Sequence, residues 1–176
     1  GAVFALLPPP RGRACQAPLF DHHNPYLCAG CAAGVEWIGD GACRGCGYPA
    51  GPHAVHTENC QRCQGKLELT AAAAVARYRG GARSMVLSLK FRGETEMARP
   101  MAELMRRRLA AVGLPHIDCI APVTLHPVRV RTRGFDQSRL LAEHLSRLTD
   151  LPTECGAVTR VRHTAPRAAL RRVHRR

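Results

Sequence analysis

At 176 residues the chain has room for one ordinary domain, or for a small metal-held module joined to a medium one. Hydrophobic residues at 45% exclude a disordered chain, and no apolar run approaches the roughly 18 residues of a membrane span. The net charge of +13 is uneven: residues 1–76 balance five basic against five acidic side chains, 77–125 carry nine against four, and 126–176 carry twelve against four. The positive field belongs to the C-terminal half, where it attracts polyanions such as nucleic acid, anionic lipid or a phosphorylated small molecule.

The start, GAVFALLPPPRGRAC, has neither a basic region ahead of an apolar core nor a small-residue cleavage site, so no signal peptide is expected. Beginning at Gly1 rather than Met, it reads as a processed or incomplete product. Residues 15–65 are dense in Cys, Gly, Pro and His with little periodicity, a composition that buries little core and needs a metal to fold. They hold three Cys-x2-Cys knuckles: Cys28/Cys31, Cys43/Cys46 and Cys60/Cys63. Thiols at that spacing turn toward one ion, and two knuckles complete a tetrahedral structural zinc with no position open for water. Cys43/Cys46 and Cys60/Cys63, 13 residues apart, have a comfortable ribbon spacing. Cys28/Cys31 then needs two more ligands, for which Cys15 and either His22 or His23 are available. Spacing does not fix the pairing, and Cys28/Cys31 sharing an ion with either later knuckle stays open. Cys119 and Cys155 stand alone and the total of nine is odd, so a reducing, cytoplasmic compartment is expected rather than an oxidised scaffold. Arg44, Arg62 and Lys66 are thin basic cover between the knuckles, which favours a scaffold or partner-contact role for this module.

Residues 67–75 form an Ala-rich link and 77–81 a turn. Helical periodicity follows over 82–90 and 97–112, the second with the stripe Met97, Met101, Leu104, Met105 and Leu109, stopped by Gly113 and Pro115. Residues 118–123 read as a buried strand ending at a proline, 124–134 as a loop holding His126, Arg129, Arg131 and Arg133, 135–148 as a helix, and 155–161 as a second strand. The tail, 162–176, is arginine-rich, with His163 and His174 as surface residues. The order helix, strand, charged loop, helix, strand predicts an α/β fold with a parallel sheet, whose ligands bind at the carboxyl ends of strands, where the arginine loop sits. Guanidinium forks bind phosphate oxygens. Gly134 permits a close turn into a helix whose N-terminus is an anion site. Asp136 and Gln137 in that first turn are candidates to position a sugar hydroxyl or a water, and Lys90, before Gly93, is a further phosphate candidate.

These residues resemble the ComF family, a double zinc ribbon followed by a type I phosphoribosyltransferase-like domain, some of whose members are tied to DNA uptake in competent bacteria. The matching pieces run almost end to end. They are the Pro-rich start before Cys15, the three knuckles with Gly47 after the second, Tyr78-Arg79-Gly80, and Leu89-Lys90-Phe91-Arg92-Gly93. Then come Pro122…Arg129…Arg133-Gly134-Phe135-Asp136-Gln137, Leu141-Ala142, and Leu170…Arg175 after Thr159-Arg160-Val161-Arg162-His163-Thr164. The Arg-Gly-Phe-Asp-Gln block is more specific than any knuckle. The resemblance implies a zinc-ribbon module over 1–66 and an incomplete phosphoribosyltransferase-like, Rossmann-like domain over 67–176. It makes 124–133 the loop that contacts pyrophosphate and 162–176 the start of a mobile catalytic loop. It implies structural Zn2+, and Mg2+ with a phosphoribosyl pyrophosphate-like ligand. Pro18 departs from the pattern, standing where a second cysteine is expected after Cys15, and Arg167 stands where the family usually has Gln. No Asp-Asp-x-x-Thr-Thr-Gly run is present, so the chain reads as truncated before the turn that binds ribose phosphate, its catalytic residues unassigned and the transferase expected inactive. A reading from a different class is a non-catalytic zinc-ribbon adaptor whose basic face holds single-stranded DNA or a competence-machinery protein. With aromatic residues at 5%, backbone contact is then expected over base stacking.

Overall fold

A computed structural model describes residues 12, 15, 17, 26–49, 60–64, 69–113 and 116–162. The N-terminal start, His22, His23 and the tail from residue 163 lie outside the described residues, and with them the readings made on Pro18, His163, Arg167 and His174. Among the described residues five α-helices follow in order: α1 (Ala29–Ala33), α2 (Gly80–Phe91), α3 (Ala98–Val112), α4 (Pro127–Arg133) and α5 (Gln137–Thr149). A short 3-10 turn, Thr95–Met97, leads into α3.

The core is a helical seam. Met85 and Leu89 from α2, Met97, Ala98 and Leu27 are buried together, and Cys31, Met101, Phe135 and Leu141 pack against them. Full burial of a side chain such as Leu89 or Met97 contributes roughly 1.5–3 kcal/mol. α3 and α5 make the most extensive helix contact. Ala98 and Ala102 on one and Ala142 on the other are buried, and their small side chains let the two backbones approach.

α1 crosses the start of α2 at a glycine seam. A Cβ on Gly81 would lie 2.0 Å from the carbonyl oxygen of Cys31, and one on Gly80 would lie 2.3 Å from that of Gly34. Gly80 also takes φ +52, a left-handed conformation that glycine adopts without steric penalty. The segment before α2 is an edge, not a free link. Ala76 pairs antiparallel with Trp37. Ile38 N–H donates to Val75 O at 2.9 Å, Arg77 N–H to Glu36 O at 2.9 Å, and Ala72 N–H to Arg44 O at 2.7 Å. On α3, the largely buried Arg108 side chain reaches back and donates to Gly39 O at 3.0 Å, beside Asp40 at 3.7 Å.

The expected parallel sheet is not formed, and the α/β reading is corrected. Among the described residues there is no strand, only isolated pairings at Trp37 with Ala76, Ala42 with Pro49, and Ile120 with Thr153. The last is parallel, held by Ile120 N–H to Pro152 O and Glu154 N–H to Ile120 O, each 2.9 Å. It goes no further. Parallel sheets need both faces covered, whereas Asp118, Cys119 and Ala121 are exposed. The stretch expected as a loop at 124–134 contains α4, with Pro127 at its first position, where the missing N–H is no loss.

Candidate functional site

Two cysteine clusters carry the clearest chemistry. The sulfurs of Cys43, Cys46, Cys60 and Cys63 lie within 4.8 Å of one another, as do those of Cys15, Cys28 and Cys31. All nine cysteines are free thiols. Zinc–sulfur bonds of about 2.3 Å give a tetrahedron with edges of about 3.8 Å. Cys43 and Cys63 sulfurs are 3.7 Å apart and those of Cys46 and Cys60 are 3.8 Å apart. The four-cysteine cluster therefore has the donor set and the size of a closed structural zinc site. Of the pairings the sequence left open, the geometry joins the second and third knuckles and sets the first beside Cys15.

Local backbone explains why the knuckles point inward. Gly47 N–H closes on Cys43 O and Gln64 N–H on Cys60 O, both at 2.8 Å, so each knuckle folds over its own first cysteine. The residue after each second cysteine turns left-handed, Gly47 at φ 68 and Gln64 at φ 50. In the other cluster Cys28 caps α1, its sulfur accepting from Cys31 N–H at 3.4 Å and lying 3.3 Å from that of Cys15. This group has three members among the described residues.

The thiols divide by environment. Donation from the Cys63 and Arg62 N–H groups brings Cys60 down to about 7. Burial, with the neighbouring thiols adding to it, pushes Cys46 up to about 12. Cys31 is likewise pushed up to about 12 by burial and by Cys15 and Cys28, while Cys28 is lowered, chiefly by the Cys31 N–H. Clustered thiols cannot all ionise together, and a divalent cation removes that conflict by replacing the shared protons.

The arginine segment is arranged differently from a convergent loop. Two helical positions turn by about 200°, so Arg129 and Arg133 share one face of α4 and Arg131 faces the other way. Arg133 lies 5.4 Å from the centre of the Phe91 ring and donates to the Gln137 side chain. Burial, then the charge of Arg129, lowers its basicity, with Asp136 opposing. Arg131 is exposed and, with Arg139, Thr124 and Phe135, lines a groove of about 610 Å3 along α4 and α5. Lys90 sits in the last turn of α2, where a cation suits the helix dipole. Gly134 ends α4 at φ 86, its N–H donating to Val130 O.

Asp136 and Gln137 are both buried. One Asp136 oxygen accepts from Ser138 N–H at 2.9 Å and Arg139 N–H at 3.3 Å, capping α5; the other accepts from Leu125 N–H. The residue clasps the segment before α4 to the start of α5. Asp136→Ala is expected to lower stability by about 2 kcal/mol, through the lost cap and an orphaned donor. At this chain length that is a drop of about 4–8 °C in melting temperature, while Asp136→Asn keeps most of the cap. A shift under about 1 °C for the alanine variant in a thermal melt would deny the clasp.

A second groove, of about 380 Å3, lies on the ribbon between Tyr48 and Tyr78 and is lined by Arg62, Arg77 and Arg79. Counting aromatics over the whole chain hid it. The local signal was present: Tyr48 follows Cys46-Gly47, and Arg62 stands inside the third knuckle.

Residues 3–69 match the double zinc ribbon domain. The chain is 32% identical over 156 residues to the DNA utilization protein YhgH of Salmonella typhi, covering 86% of this chain and 66% of that protein. It is 28% identical over 150 residues to competence protein F of Haemophilus influenzae, covering 82% and 63%. The YhgH protein of Escherichia coli K12 is 32% identical over 159 residues, with 86% and 66% covered. The chain thus spans just under two thirds of the length of these curated relatives. No solved structure matches.

The family resemblance is corrected accordingly. Its ribbon part and its likeness to competence proteins are supported, and the phosphoribosyltransferase-like domain is not. Among the described residues there is no β-sheet and so no strand ends to present a sugar phosphate, which argues against the transferase activity and the Rossmann-like fold expected for 67–176. Mg2+ was implied only through that ligand. Among the described residues no helix is long and apolar enough to cross a membrane.

Proposed function

We propose that this chain is a non-catalytic, zinc-held adaptor that binds DNA through the arginines of its helical part, in the DNA-handling setting that its relatives' names describe. The observation that carries this is the separation of charge from metal. Residues 1–76 are neutral and residues 77–176 hold the whole excess of +13. Some of these arginines are internally spent. Arg106 and Arg107 hydrogen-bond Glu103 at 2.8 and 3.2 Å and hold its carboxyl at about 2, so it stays ionised at any working pH. Arg139 pairs with Glu143 at 2.8 Å. Lys90, Arg129, Arg131 and Arg133, with the turn at Gly134, are the proposed phosphate contacts, and the cysteine clusters hold structural zinc. The proposed division is a ribbon over 1–66 and a helical unit over 67–176.

Binding through backbone phosphates releases counterions. Four such contacts on single-stranded DNA predict a roughly fifty-fold loss of affinity between about 50 and 200 mM salt. Arg129→Ala with Arg131→Ala should weaken binding uniformly across sequences and reduce the salt slope on single-stranded DNA by about 0.7 per lost contact. Salt titration by fluorescence anisotropy measures both. No DNA binding at low salt would remove this reading and leave protein contact as the adaptor's work.

A further inference from the structure

We infer that the groove on the ribbon is a stacking site for the bases of single-stranded nucleic acid, distinct from the phosphate contacts on the helices. The inference rests on the DNA-binding reading above and assigns it a second, chemically different surface.

Of the chain's four Tyr and Trp residues, three are exposed about the ribbon: Trp37 at 53%, Tyr48 at 40% and Tyr78 at 60%. Single exposed aromatics are ordinary. Tyr48 and Tyr78 line one groove together with Arg62, Arg77 and Arg79, while Trp37 lines a neighbouring apolar pocket that Tyr78 shares. The Arg62 guanidinium lies 4.5 Å from the centre of the Tyr48 ring. That stack presents a flat, weakly hydrated cation beside a ring, and both kinds of plane accept a base. Tyr78 lines the same groove, as do Arg77 and Arg79 next to it in sequence. The volume of about 380 Å3 lies within the roughly 300–1,000 Å3 of ordinary ligand clefts.

Rigidity comes from the chemistry beneath. Tyr48 O accepts from Cys43 N–H at 2.9 Å, and Arg62 stands between the ligands Cys60 and Cys63. Tyr78 stands on the segment that pairs with residues 36–38. A platform fixed this way loses little freedom on binding. Glu36 opposes these cations, 3.7 Å from Arg77 and 3.3 Å from Arg79. Those pairs are solvent-exposed and weak, and Glu36 aligns two guanidiniums that a phosphate can compete for. Guanidinium walls disfavour an apolar peptide, and duplex DNA hides its base faces, which leaves unpaired bases as the occupant.

The test uses the zinc-loaded chain and a labelled twelve-nucleotide oligothymidylate at low salt, with anisotropy as the readout. Tyr48→Ala and Tyr78→Ala are each expected to weaken binding about tenfold with the salt slope unchanged, whereas Tyr→Phe at either position retains it. An abasic strand of equal charge should bind about as weakly as the alanine variants. Zinc content is measured on every sample; if Tyr48→Ala disturbs the ribbon, Tyr78→Ala, which carries no ligand, decides. Equal binding of abasic and normal strands, or full affinity in Tyr78→Ala, overturns the groove. If the Arg129/Arg131 variant loses binding in that case, the adaptor reading survives alone. If the wild-type chain binds neither single-stranded nor duplex DNA, both fall.

Discussion

Cys60→Ser is expected to empty the four-cysteine cluster of its zinc and to melt the ribbon around it. Cys60 and Cys43 are among the most completely buried side chains, and among the described residues that cluster is a core of cysteines alone. Structural zinc in such small modules is worth roughly 10–16 kcal/mol of folding free energy, far more than the few residues between the knuckles can recover by burial. Elemental analysis should show one zinc fewer per chain, and amide exchange at 42–49 and 60–64 should become fast. A chelator should do the same to the wild type. Cys119→Ser is the control: it lies outside both clusters, and zinc content should not move. Full zinc with an unchanged melt in Cys60→Ser would show that the cluster holds no ion.

Gly81→Ala should be strongly destabilising for a single added methyl group. In a helix interior the change would ordinarily be favourable by up to about 1 kcal/mol. Here the new methyl meets the Cys31 carbonyl at 2.0 Å and the Val35 side chain at 2.8 Å, and the first of these is backbone that cannot rotate away. Overpacking of that kind costs about 3 kcal/mol, so the steric term wins by about 2 kcal/mol, with a melting temperature lower by about 4–8 °C. Gly30→Ala on α1 gives the contrast, since nothing lies within 4 Å of its Cβ and a small gain is expected. A Gly81→Ala chain that melts with or above the wild type would show that α1 and α2 do not cross as described.

The parts legible in the sequence were those written locally. The knuckles are visible because both ligands of a pair lie within four residues of chain, and the long helices because Met97, Met101 and Leu104 repeat at a helical interval. The strand at 118–123 was misread because an apolar run carries no sign of what covers it; Cys119 and Ala121 turn out to face solvent. α4 is hidden in the sequence because its alternating arginines have no apolar helical stripe, and its helix-start signal is Pro127 alone, behind the His126 cap. Gly80 and Gly81 read as a turn because the carbonyls they fit against come from Cys31 and Gly34, far back in sequence. The Tyr48–Tyr78 groove is of the same kind: its two walls are brought together by the ribbon and cannot be seen from either alone.

The edge formed by residues 72–77 sets an order of events during synthesis. Both knuckles of the four-cysteine cluster emerge from the ribosome before Ala72, Val75 and Arg77 do, so metal capture can begin on a nascent ribbon that lacks one side. Final seating waits for the glycine pair at 80–81 and the helix behind it. At elongation rates of about 5–20 residues per second that delay is on the order of a second, long enough for a half-built zinc centre to meet thiol oxidants or metal-delivering partners.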